Sequence, residues 1–188
     1  KESSAASDVY KRQTANSDAW LACYDFLTAF PAAVVEWLLL VIRFIGLPEG
    51  FIAAIEFFYS INRVLCRSSK QCLLYIIAGI LQGCPLSGCL FTLLANPFFV
   101  HLHRSLDSTG QGISRVCADD LAVVLRTRQA LLLVLEPLLM ARRLANLVLS
   151  AVKSILVPLR QWNPELVTDM REWLMIHIPM WKDFPVTV

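Results

Sequence analysis

Two adjacent carboxylates, Asp119 and Asp120, sit between two runs of strand-forming apolar residues. Ile113 to Ala118 and Leu121 to Leu125 have the composition of two short strands, which puts the acids at the turn of a hairpin. Neighbouring residues of a strand point to opposite faces, so a hairpin tip is where both acids stay near one site. Two carboxylates in apolar surroundings repel each other and lose hydration, and a cation relieves both costs. Oxygen ligands of this kind suit magnesium or manganese. Taken alone, the pair also reads as an exposed Asp-Asp turn. A third acid, Asp25, lies near the end of Trp20-Leu21-Ala22-Cys23-Tyr24-Asp25-Phe26, an apolar run of strand length. Ionised and unpaired in such a strand it costs several kcal/mol, so it needs a partner.

Positioning these acids falls to the elements around them. Pro31 suits the first turn of a helix, and Ala32 to Ile45 continues as an apolar helical stretch closed by Gly46 and Pro48. Phe51 to Ile61 reads as a second helix. Arg63 to Cys66 and Gln71 to Ile77 read as a strand pair joined by the polar turn Arg67-Ser68-Ser69-Lys70. Glycines and a proline then interrupt Ala78 to Gly88, where Ser87 can cap a helix running toward Asn96. Asn96-Pro97 reads as a second cap, so that helix is expected to kink or restart there and to end near Arg104. A glycine-rich turn before a helix N-terminus can bring backbone close to phosphates. Gln129 to Asn146 supplies a helix after the hairpin, with Arg142-Arg143 toward solvent or phosphates, and Trp162 to Met175 a last one.

The chain of 188 residues suits one domain with a sizeable core. Its hydrophobic fraction is 56% against 17% charged, and the net charge of +2 leaves no strong whole-chain footprint for nucleic acid. Six cysteines are scattered through apolar segments without a C-x-x-C pair, which suits reduced, buried thiols in an intracellular protein. His101 and His103, two apart, fall on different faces of a helix. The opening residues lack an apolar signal core, and Lys1 to Gln13 resembles adapter sequence. Residues 1–18 are therefore set aside as a disordered or non-native leader before a domain of residues 19–188. A multi-pass membrane protein fragment is the rival class, because no Asp, Glu, Lys or Arg occurs between Lys70 and Arg104. Gln82, Pro85, Ser87, Asn96 and Pro97 interrupt that run, so no membrane is expected.

Together these stretches resemble a known family. Asp25-Phe26-Leu27-Thr28-Ala29-Phe30, then Gln82-Gly83-Cys84-Pro85-Leu86-Ser87, then Cys117-Ala118-Asp119-Asp120 look like motifs A, B and C of a reverse transcriptase, closest to the non-LTR retrotransposon type. Leu147-Val148-Leu149-Ser150-Ala151-Val152-Lys153-Ser154 resembles motif D. The likeness runs from about Trp20 to the C-terminus. Three positions depart from the pattern: Cys117 stands where an aromatic residue is frequent, Pro31 where many members have Asp, and Ser150 where motif D has Asn.

The resemblance implies an α+β polymerase palm, an antiparallel sheet carrying the catalytic aspartates with helices backing one face. It implies RNA-directed DNA polymerase activity, two-metal nucleotidyl transfer from a dNTP to a primer 3′-hydroxyl. Asp25, Phe26, Asp119 and Asp120 would hold two Mg2+ ions, with Mn2+ as the alternative, and Asp120 would be the supporting carboxylate. Phe30 would exclude a ribose 2′-hydroxyl, Gln82 and Gly83 would contact template and nucleotide, and Lys153 would protonate the departing pyrophosphate. Implied partners are an RNA template, a DNA primer, dNTP and the rest of a retrotransposon polyprotein: fingers, thumb and an endonuclease. The fragment alone is then expected to be inactive. Localisation is expected to be intracellular, and nuclear for target-primed synthesis. A decayed, inactive copy of such an element is the remaining alternative.

Overall fold

The computed structural model describes residues 18–60, 63–75, 78–160 and 163–187. The chain divides into two compact units, one of Lys1–Leu27, Phe98–Leu139 and Leu149–Val188, the other of Thr28–Pro97 and Met140–Val148.

The first unit is built on an antiparallel sheet. Its strands are β1 (Trp20–Tyr24), β5 (Gly112–Cys117), β6 (Asp120–Leu125) and β8 (Ile155–Pro158), in the order β5-β6-β1-β8. Trp20 pairs with Leu125 and Tyr24 with Leu121, while Cys23 pairs with Ile155 and Cys117 with Asp120. The period-two pattern of the sequence becomes two unlike faces. Trp20, Ala22, Tyr24, Leu121, Val123 and Leu125 are buried; Cys23, Ala122 and Val124 on the other face are only partly covered. Phe98, Leu102, Leu106, Leu131, Val134 and Leu138, from the helical segments of this unit, are buried too. Removing each large side chain from water contributes about 1.5–3 kcal/mol. At one end of the buried face Tyr24 packs against Trp181 and Phe184, with centroids 5.4 and 6.1 Å away. The sheet and helices are the α+β palm that the sequence implied.

The second unit is mostly helical: α1 (Ala29–Ala32), α2 (Val35–Phe44) and α3 (Glu49–Ser60), followed by the hairpin β3 (Arg63–Leu65) and β4 (Cys72–Tyr75). Leu38, Val41 and Ile42 of α2 and Ile52 and Ile55 of α3 are buried at helical spacing. Arg43 and Glu56 form an ion pair between these helices, and the Trp37 indole N–H donates to the Leu94 carbonyl at 2.9 Å. Pro31 lies inside the short α1, and the chain breaks at Ala33-Val34 before α2, so Ala32 to Ile45 is not one helix. The expected strand ends Ile76 and Ile77, the helix end Ile61, and Trp162 lie outside the described residues.

Helix α4 (Ser87–Thr109) corrects two expectations. It does not restart at Asn96-Pro97 but carries Pro97 in its interior, and it ends at Thr109 rather than near Arg104. Leu90, Phe91, Leu94, Ala95, Phe98, Leu102 and Leu106 form one buried stripe through the proline, and that burial outweighs the lost N–H bond. Nor does Ser87 cap this helix: it is the first helical residue, and its hydroxyl donates to the Leu81 carbonyl. Further elements are the two-residue strands β2 (Phe26–Leu27) and β7 (Val148–Leu149), the helix α5 (Leu131–Ala145) and α6 (Pro164–His177), which Asn163 caps by accepting the Glu165 N–H at 3.0 Å.

The cysteines also differ from expectation. Cys72, Cys84, Cys89 and Cys117 are exposed, and Cys23 and Cys66 only partly covered. Their apolar neighbours take the inward positions, so the thiols are left at turns and on outward faces. Hydrogen bonds around Ser68 and Ser69 pull the Cys66 thiol down to about 6.

Candidate active site

The hairpin β5–β6 closes on two residues, Ala118 and Asp119. Ala118 takes a positive φ of 54, which a tight two-residue hairpin loop requires at its first position. Asp120 is already the first residue of β6, so only one of the two acids occupies the turn. The strand register places the rest. Tyr24, the last residue of β1, faces Leu121, so Asp25 leaves the strand next to the start of β6, where Asp120 lies. On the other side Cys23 faces Ile155, the first residue of β8, and Lys153 lies in the turn just before it. The row at this end of the sheet thus holds Cys117 paired with Asp120, with Asp25 just past β1 and Lys153 just before β8.

Atomic contacts agree with that row. Lys153 Nζ lies 3.6 Å from Asp25 Oδ1. Burial and then the Asp120 carboxylate push the Cys23 thiol up, as expected where Asp120 shares the outward face with Cys23. Cys23, Arg115, Cys117, Asp120 and Ala122 line a cleft on this face, and the Arg115 guanidinium donates to the Ser114 carbonyl at 2.9 Å. Like charges at the ends of neighbouring strands repel one another. The lysine offsets part of that, but with side chains 66% and 38% exposed the ion pair contributes only about 0–1 kcal/mol. The row therefore still favours added positive charge.

Among the described residues, no group of three or more His, Cys, Asp or Glu side chains closes into a metal cage. Magnesium does not need one: it is held by one or two carboxylates, with water and substrate phosphates filling its shell. Asp119 and Asp120 on the hairpin and Asp25 at the end of the neighbouring strand are carboxylates of that kind, although they do not gather into a three-acid group. Phe26 is different. Its ring is buried beside Phe99, 6.4 Å between centroids, so any contribution to a cation comes through its main chain.

The other implied residues belong to the second unit. Phe30 is half-buried and stacks on Phe91 at 4.5 Å and 22°. Gln82 and Gly83 are exposed at a turn. The loop before them is tied to the start of the helical segment, because Gly79 N–H donates to the Ala33 carbonyl at 2.9 Å and Ile80 N–H to the Phe30 carbonyl at 2.7 Å. The Tyr59 hydroxyl accepts the Leu81 N–H at 3.4 Å. Phe30 and the glycine-rich loop are thus one assembly.

Gly79 makes the approach possible. At φ 94 a Cβ there would lie 2.4 Å from the Pro31 carbonyl oxygen, whereas at Gly83, φ 89, it would meet nothing within 4 Å. Gly79→Ala should cost about 2 kcal/mol or more and lower the melting temperature by roughly 4–8 °C. Gly83→Ala, strained but not obstructed, should lose less. Equal melting temperatures for the two variants would show that the contact with Pro31 does not hold the loop.

Residues 2–166 match the family described as Reverse transcriptase (RNA-dependent DNA polymerase). The chain belongs to the reverse transcriptase family. The match takes in all the motif positions named above. No curated protein matches the sequence. Among solved structures, the fold is similar to apo telomerase from Candida tropicalis truncated from the C-terminal domain, with a TM-score of 0.62 and 14% identity, covering 83% of this chain and 35% of that one. It is equally similar to apo telomerase of the same organism, with a TM-score of 0.63 and 12% identity, covering 81% and 30%. This chain thus spans about a third of the telomerase chains it resembles. Among the described residues no helix is long and apolar enough to cross a membrane.

The motif D resemblance contains Ser150 and Ser154 beside Lys153 but implies no role for either. Ser150 and Ser154 are 4% and 0% exposed and bond to the main chain of Asp25.

Proposed function

We propose that this chain is the palm portion of an RNA-directed DNA polymerase of the non-LTR retrotransposon type, joining a deoxynucleotide to a primer 3′-hydroxyl on an RNA template. The observation that carries the reading is the Asp25–Lys153 ion pair at the end of β1, beside the hairpin that carries Asp119 and Asp120, in a chain of this family. Phosphoryl transfer asks a protein mainly for positioning and charge neutralisation, and carboxylates that retain a cation on an open sheet face serve both. Two divalent ions, Mg2+ or Mn2+, would be held by Asp25, Asp119 and the Phe26 carbonyl with Asp120 in support, and would neutralise charge at the attacking and leaving oxygens. Lys153 would carry a proton to the departing pyrophosphate. Gln82 and Gly83, exposed at their turn, would meet template and incoming nucleotide. Fingers, thumb and an endonuclease of the same polyprotein would complete the enzyme, which would act in the nucleus. The retained Asp25, Asp119 and Asp120 favour a working element over a decayed copy.

Phe30 supplies a test of substrate class. Its ring is fixed by Phe91 and, five residues after Asp25, would close the space of a ribose 2′-hydroxyl. In primer extension on an RNA template with Mg2+, by the chain together with its own flanking sequence, dNTP should be used in strong preference to rNTP. Phe30→Ala should reduce that preference roughly 10–200-fold. Unchanged discrimination would make Phe30 a core residue only. Absence of templated DNA synthesis by the folded parent would overturn the reading as a whole.

A further inference from the structure

Strand β1 ends at Tyr24, yet the main chain of Asp25 is not released to solvent. Its N–H donates to Ser154 Oγ at 3.3 Å, and its carbonyl accepts the Ser150 N–H at 2.8 Å. Ser154 N–H in turn donates to the Ser150 carbonyl at 2.9 Å, closing the five-residue loop on itself. The loop replaces the strand partner that β8 no longer provides past Ile155. Both serines are buried, while Val152 between them is 82% exposed and Lys153 reaches the Asp25 carboxylate from the same loop. A fully buried hydroxyl is costly without a partner, and here it is matched to a peptide N–H that would otherwise lack one.

We propose that Ser154 is a positioning residue for Asp25: its hydroxyl fixes the peptide from which the carboxylate projects toward Lys153. This rests on the reading of Asp25 as a cation ligand. Where β1 stops, the chain must turn from one strand into the next at Phe26, and the direction of the Asp25 side chain is set by the peptide on each side of it. Ser150 holds the following peptide through its own N–H, which any residue but proline supplies. Among the described residues Ser154 alone holds the preceding peptide through a side chain, so the device depends on residue type at position 154.

The test uses the 188-residue chain and Mn2+ alone, with the free-ion signal read by electron paramagnetic resonance and amide hydrogen exchange read at Asp25. Ser154→Thr keeps the hydroxyl, and Ser154→Val has the same shape without it, so any crowding by the extra methyl is shared. Ser154→Val should speed exchange at the Asp25 amide and raise the Kd for Mn2+, each by roughly 10- to 100-fold over Ser154→Thr. Ser154→Ala should follow Ser154→Val. Equal Kd and equal exchange in the Thr and Val variants would overturn the proposal, even where both are less stable than the parent. Faster exchange in Ser154→Val with Mn2+ affinity unchanged would also overturn it, because the serine would then be structural only. Asp25→Asn, measured alongside, separates the two levels. Parental Mn2+ affinity in that variant would remove Asp25 as a ligand and overturn the functional reading, while lost affinity there with equal Thr and Val affinities would overturn the role of Ser154 alone.

Discussion

Asp25→Asn, in the chain together with its own flanking sequence, is expected to lower Mg2+-dependent primer extension by about a thousandfold or more, and Asp119→Asn to do the same. A thousandfold corresponds to about 4 kcal/mol of transition-state stabilisation, a modest figure for removing an anionic ligand from a site whose chemistry is charge neutralisation. Stability should behave differently. Asp25 has a like charge, Asp120, at the start of the neighbouring strand and an exposed lysine as its ion-pair partner. Losing the carboxylate relieves the first and forfeits the second, so the two effects oppose each other. Because the main-chain bonds to Ser150 and Ser154 do not use the carboxylate, they survive. Unfolding free energy should therefore move by less than about 1 kcal/mol. Activity lost at near-constant stability is the mark of a group kept for chemistry. Near-parental extension in either variant would sink the metal assignment.

The parts of this arrangement differ in how far the sequence reveals them. The hairpin and β1 are legible because their periods are short-range: Trp20, Ala22 and Tyr24 alternate with Leu21 and Cys23, and Leu121, Val123 and Leu125 do likewise. The outward face of Asp120 follows from the same alternation once the turn is known to be Ala118-Asp119. Turn choice was less visible, because Ala118 adopts a left-handed conformation usually given to glycine or asparagine. The continuation of α4 through Pro97 depends on a stripe of buried residues on both sides of the proline, whereas local punctuation argues for a stop. Exposure of the cysteines depends on which face the partner elements cover, which composition does not encode. The partner of Asp25 was required by the cost of a lone acid but could not be named from β1, since Lys153, Ser150 and Ser154 lie more than a hundred residues away. Motif resemblance supplied the lysine. Only the fold supplies the role of the serines.

Lys153→Met should move two observables in opposite directions. Before a cation arrives, the Lys153 ammonium is part of the charge that balances Asp25, 3.6 Å from its oxygen. A divalent ion entering the site competes with it. Replacing the ammonium by a side chain of similar reach without charge removes the competitor, so the Mg2+ concentration for half-maximal extension should fall, by up to about fivefold given the exposure of the pair. The rate at saturating Mg2+ should nevertheless drop roughly 10²–10⁴-fold, the usual contribution of a positioned general acid. Lys153→Arg retains the charge and should leave the Mg2+ requirement near the parental value. The geometry suits this double role: the loop is anchored at Ser150 and Ser154 while the lysine between them is mostly exposed, so the ammonium can leave Asp25 without disturbing the anchors. Simple damage to the loop would slow extension and weaken Mg2+ together, because Asp25 would lose its alignment. A Lys153→Met variant that shows that pattern would make the lysine a structural tie and would end its assignment as the proton donor.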